Sequence, residues 1–84
     1  MTRNILLIMC DQLRADYLSC EGHPTLRTPN IDGLASRAVR FTQAYVQAPI
    51  CGPSRTSFYT GRYMSSHGSN WNWVPLPVGE RTLG

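Results

Sequence analysis

The 84 residues include eight arginines, no lysine and five acids, for a formal charge of +3, and 42% of them are hydrophobic. A chain of this size is at most one small domain, and its composition is too apolar and too weakly charged for a disordered segment. The arginines are scattered from Arg3 to Arg81 with acids between them, which argues against a nucleic-acid stripe and leaves only a mild preference for anionic ligands.

Cys10, Cys20 and Cys51 form an odd set without CxxC spacing, so neither a disulfide framework nor a zinc site is expected. The opening MTRNILLIMCDQ has an apolar run of five residues and no small-residue cleavage site. It is too short for a signal peptide or a membrane span. A cytoplasmic location without membrane contact is the expectation.

In chain order, Asn4 to Cys10 is a continuous apolar run, which suits a strand covered on both faces of a parallel sheet. Asp11 to Pro29 is a long irregular connection. A helix follows, with Thr28 as cap, Pro29 at its first position and Asp32 in its first turn. Its apolar face is Ile31, Leu34, Ala35, Ala38 and Val39 at i, i+3, i+4, i+7 and i+8. Phe41 to Val46 reads as a second strand, and strand–helix–strand implies a right-handed βαβ crossover. Gly52-Pro53 starts another helix and Gly61 stops it. From Tyr63 onward the chain is rich in Ser, Asn, Trp and Pro and reads mostly as loop, with Thr82 as a possible cap for a helix just opening. The fold class is therefore α/β. Two doubly covered strands need neighbours that these residues do not supply, so residues 1–84 are expected to be an incomplete N-terminal segment of one larger catalytic domain.

The stretch ICGPSRTSFYTGR, residues 50–62, carries the chemistry. Gly52 and Pro53 place Cys51 at a helix N-terminus, where unpaired N–H groups and the dipole attract negative charge. Arg55, one turn inside, offers a fork suited to an oxyanion. A plain thiolate in this place is a nucleophile, so a redox protein using Cys51 is one alternative reading. A non-enzymatic fragment is another.

Cys51-Gly52-Pro53-Ser54-Arg55 followed by Thr60-Gly61 matches the C-x-P-S-R-x4-T-G signature, and the chain resembles the formylglycine-dependent sulfatases of the alkaline phosphatase superfamily. A strand ending in Asp11 and the segment TPNID, residues 28–32, agree with that resemblance, which covers nearly the whole chain. It implies an alkaline-phosphatase-like, mostly parallel sheet flanked by helices. It also implies that Cys51 is converted to 3-oxoalanine (formylglycine) by a formylglycine-generating enzyme. In such enzymes one hydroxyl of the hydrated aldehyde attacks sulfur or phosphorus, and the second later expels the bound anion.

The same resemblance makes Cys51 and Arg55 catalytic and makes Asp11, Gln12 and the oxygen of residue 51 ligands of Ca2+, Mg2+ or Mn2+. Asp-Gln in place of the common Asp-Asp is similar to the branch of phosphonate monoester hydrolases, arylsulfatases and choline-sulfatases. Asn72, in an Asn-x-Val-Pro-Leu segment of that branch, is implied as a donor to the substrate oxyanion. The implied activity is hydrolysis of a small anionic sulfate ester, with phosphonate or phosphate esters as the rival. The family's downstream ligands and general acid are not among these residues, so the 84 residues alone are expected to be inactive.

The remaining polar residues read as structural. Arg62 suits carbonyls at the helix C-terminus. His23 and His67 fall in predicted loops without partner spacing, although His67 is close enough to the motif to support it. Trp71 and Trp73 suit either a pocket lining or aromatic filler.

Overall fold

The computed structural model describes residues 3–83. The chain divides into two compact units, Met1–Thr42 and Gln43–Gly84.

The first unit is organised by a clamp around a ten-residue loop. A 3-10 turn at Ser19–Glu21 precedes α1, Pro29–Ala35. Ser19 N donates to Thr28 Oγ1 at 3.0 Å and Thr28 N donates to Ser19 Oγ at 2.8 Å, a reciprocal pair across the loop. Both hydroxyl protons then go to Asp32: Ser19 Oγ donates to Oδ2 at 2.5 Å and Thr28 Oγ1 to Oδ1 at 3.0 Å. Cys20 N adds a third donor at 3.0 Å. Only an ionised carboxylate accepts all three, and the carboxyl of Asp32 is held below its ordinary range, first by the Ser19 hydroxyl. Arg40 closes the far side, its guanidinium bonding the Cys20 carbonyl and lying 3.4 Å from Glu21.

Thr28 and Pro29 occupy the cap and first helical position as expected, but the Thr28 side chain serves the clamp rather than capping α1. The helix also ends earlier than its apolar period, at Ala35. Ser36 bonds back to the Gly33 carbonyl, and Leu34 is 55% exposed. With nothing to bury the face, periodicity alone does not propagate a helix.

In the second unit α2 spans Cys51–Thr60. It starts two residues before the expected proline, so Pro53 is its third residue. A proline is tolerated there because the third N–H of a helix has no intrahelical partner. Gly61 stops α2 as expected: at φ +68° its N–H meets the Ser57 carbonyl at 2.9 Å, a backbone region open to glycine without strain. A short helix not anticipated from the sequence, α3 at Met64–His67, follows. Thr82 opens no helix among the described residues; instead Leu83 N bonds the Tyr59 carbonyl.

Both expected strands are absent among the described residues, and with them the βαβ crossover. Asn4–Cys10 and Phe41–Val46 have the side chains of strands but no ladder. Ile5 is 92% exposed, Leu6 84% and Phe41 81%. A parallel strand exists through inter-strand hydrogen bonds and two covering layers, and none of these is supplied here. No helix among the described residues is long and apolar enough to cross a membrane.

Candidate functional site

The first turn of α2 joins the signature to a distant residue. Ile50, the N-cap, is extended and its carbonyl accepts the first helical bond from Ser54 N at 3.0 Å. Ile50, Cys51 and Gly52 are left with N–H groups that no helical carbonyl can meet, and Pro53 has none. Gly52 N donates to Asn72 Oδ1 at 2.8 Å, and the Cys51 thiol donates to the same oxygen at 3.3 Å. Asn72 is therefore a remote cap, supplied from twenty residues downstream. A backbone N–H needs an acceptor, which fixes the amide with its oxygen toward the helix.

This approach explains Gly52. A Cβ there would lie 2.5 Å from Asn72 Oδ1 and 3.3 Å from Asn72 Cα. Glycine at this position is a space requirement.

Of the residues expected to form the site, Cys51, Arg55 and Asn72 lie in the second unit. Cys51 is exposed and Arg55 half-buried, four residues apart and hence on one face of α2. Asn72 meets Cys51 directly, through its carbonyl oxygen. Asp11 and Gln12 lie in the first unit, both exposed. Gln12 has φ +54°, and Trp73, next to Asn72, has φ +70°. These left-handed backbones are uncommon outside glycine and concentrate at functional positions.

Asp11 and Gln12 present two adjacent oxygen donors of the type hard cations use, but such ions take six to eight. Among the described residues no group of three or more His, Cys, Asp or Glu converges. These residues fit part of a coordination shell.

Two residues that the sequence did not place at the site, Ser57 and Ser69, support it together with His67, which its closeness to the motif had marked. His67, the last residue of α3, is 1% exposed. Ser69 N donates to its Nδ1 at 3.1 Å, so the ring proton sits on Nε2, which meets Ser57 Oγ of α2 at 2.9 Å. Ser69 Oγ donates to the Val74 carbonyl at 2.8 Å. No periodicity links residues 57, 67 and 69, and proximity to the motif was the only signal for His67. Arg62 does bond a carbonyl, but that of Ser66 in α3 at 3.2 Å, and it pairs with Glu80. Trp73 is 98% exposed and fills no core.

The profile of the family described as Sulfatase matches residues 3–84. Human arylsulfatase D is 58% identical over 60 residues, covering 71% of this chain and 10% of that protein. Rat steryl-sulfatase is 53% identical over 70 residues, covering 77% and 12%. Mouse iduronate 2-sulfatase is 43% identical over 84 residues, covering 86% and 15%. The chain thus spans between a tenth and a sixth of the length of these relatives. They also overturn the expected cytoplasmic location, because such relatives are not cytoplasmic proteins. That expectation rests on the shortness of the apolar run at residues 5–9, a weaker ground than similarity to named proteins.

Proposed function

Because the chain belongs to the sulfatase family, we propose that it forms the N-terminal part of the catalytic domain of a sulfate ester hydrolase, with residue 51 as the nucleophile. The observation that carries this reading is the first turn of α2. There an exposed Cys51 stands at a helix N-terminus, Arg55 lies one turn along the same face, and Asn72 holds the turn from outside.

Each residue has a role set by its chemistry. The α2 N-terminus and the Arg55 fork favour a tetrahedral anion over a neutral ester, and so strengthen as charge develops on the sulfuryl oxygens. Asn72 uses its oxygen on α2, which leaves its amide N–H donors for a substrate oxygen. Conversion of Cys51 to formylglycine by a formylglycine-generating enzyme would supply a hydrated aldehyde whose hydroxyl is a better-poised nucleophile than a thiol toward a sulfate ester. Asp11 and Gln12, with residue 51, would hold part of the shell of Ca2+, Mg2+ or Mn2+, which would supply Lewis-acid polarisation of the ester. The α/β architecture of the family needs chain beyond these residues to cover Asn4–Cys10 and Phe41–Val46, whose exposure supports that division. The Asp11-Gln12 pair, one charge short of two acids, supports a second reading in which phosphonate or phosphate esters are also hydrolysed.

The test uses the full-length protein matured in a host carrying the modifying enzyme. The peptide containing residue 51 should weigh about 18 Da less than its cysteine form. Cys51→Ala should abolish hydrolysis of nitrophenyl sulfate, with phenylphosphonate ester assayed in parallel to separate the two substrate classes. Undiminished sulfate hydrolysis by Cys51→Ala would sink the proposal.

A further inference from the structure

The second unit contains a closed loop of hydrogen bonds that begins and ends on α2. From Ser57 the path runs to His67 Nε2 at 2.9 Å, and from His67 Nδ1 to Ser69 N at 3.1 Å. Ser69 Oγ then reaches the Val74 carbonyl at 2.8 Å, and Val74 N closes a turn onto the Trp71 carbonyl at 3.3 Å. That turn presents Asn72, whose Oδ1 returns to Gly52 N at 2.8 Å and to the Cys51 thiol at 3.3 Å. Ser57 and Cys51 are six residues apart on α2, about 9 Å along the axis. The loop therefore ties both ends of that span to one short turn.

Two features indicate that the turn is held rather than relaxed. Trp73, inside it, has φ +70° while its ring is 98% exposed, so no packing of that side chain compensates the backbone. Such a conformation persists only when its surroundings over-determine it. The members that do so are buried: His67 at 1%, Ser69 at 2% and Ser57 at 6% exposure.

We propose that His67 is a positioning residue for residue 51, acting through Ser69 and the Trp71–Val74 turn to hold Asn72 against the first turn of α2. Each ring nitrogen has its own task. Nε2–H fixes the ring to α2, and Nδ1 accepts the backbone N–H that starts the segment carrying Asn72. This inference rests on the reading of residue 51 as the nucleophile, but one of its readouts does not depend on catalysis.

Substitutions of His67 separate the two tasks. Asn at 67 offers an oxygen near the Nδ1 position and so keeps an acceptor for Ser69 N. Gln offers an N–H near the Nε2 position and keeps a donor for Ser57. Ala offers neither. In the matured full-length protein, assayed below its melting temperature, His67→Ala should lower kcat for nitrophenyl sulfate about 10- to 100-fold and also raise KM, because the released Asn72 is the proposed donor to the substrate. His67→Asn should recover more of that loss than His67→Gln. In protein from a host without the modifying enzyme, iodoacetamide should alkylate Cys51 faster in His67→Ala than in wild type, with Cys10 and Cys20 as internal references. Ser69→Ala, which keeps the backbone N–H but removes the bond to Val74, should move kcat and alkylation in the same directions even if His67→Ala fails to fold. Folded variants that melt earlier while kcat and Cys51 alkylation stay at wild-type values would overturn the proposal and leave His67 a packing residue. Failure of the nucleophile reading would look different, as sulfatase activity surviving Cys51→Ala while the alkylation difference persists.

Discussion

Gly52→Ala tests the geometry of the α2 N-terminus most sharply, because the usual expectation has the opposite sign. Replacing glycine by alanine inside a helix ordinarily stabilises by about 0.5–1 kcal/mol. Here the added Cβ would lie 2.5 Å from Asn72 Oδ1 and 3.3 Å from Asn72 Cα. The amide oxygen can swing away, but the Cα belongs to a turn held from its other end through Ser69. Moving the oxygen breaks the 2.8 Å bond to the residue-52 N–H, and losing a cap of this kind costs about 0.5–2 kcal/mol. Overpacking adds about 1–3 kcal/mol. Set against the propensity gain, the net effect is a local destabilisation of about 2 kcal/mol. The assay is amide hydrogen exchange of the full-length protein, in which exchange at residue 52 should quicken about 30-fold. Gly33→Ala in α1 is the control, since a Cβ there meets nothing within 4 Å. It should stabilise that helix by up to about 1 kcal/mol. Wild-type exchange at residue 52 together with unchanged kcat in Gly52→Ala would refute the reasoning.

Two further predictions concern the caps and the clamp. Asn72→Asp keeps an acceptor for Gly52 N and adds a charge that the helix N-terminus favours, so melting should be unchanged. A carboxylate facing a sulfate should nevertheless raise KM, whereas Asn72→Ala should lose about 0.5–2 kcal/mol of stability as well. Wild-type kinetics in both variants, neither of which keeps an amide N–H, would show that those donors have no part in substrate binding. In the first unit the folded Asp32 carboxyl is held below its ordinary range, chiefly by the Ser19 hydroxyl. Its contribution is therefore complete above the unfolded value of about 3.9 and is lost as pH falls through the lower folded value. Protection of the Cys20 amide should hold from neutral pH down to about 4 and collapse below it, and Asp32→Asn should remove that step; a step unchanged in Asp32→Asn would assign it to another group.

The sequence by itself determined what depends on residues close together in the chain. Pro29 and Thr28 marked the start of α1, Gly61 marked the end of α2, and the spacing of Cys51, Pro53, Ser54, Arg55, Thr60 and Gly61 identified the family. Helix ends and short signatures are set by local backbone chemistry, so a linear reading finds them. Tertiary structure decided the rest, because those features depend on residues brought together from afar. Asn72 capping Gly52 across twenty residues, His67 bridging Ser57 and Ser69, and the Ser19–Thr28–Asp32 clamp leave no periodic trace. The same dependence explains the strands. Asn4–Cys10 has the composition of a buried strand, but a strand is a relation between neighbours, and composition cannot supply the neighbour.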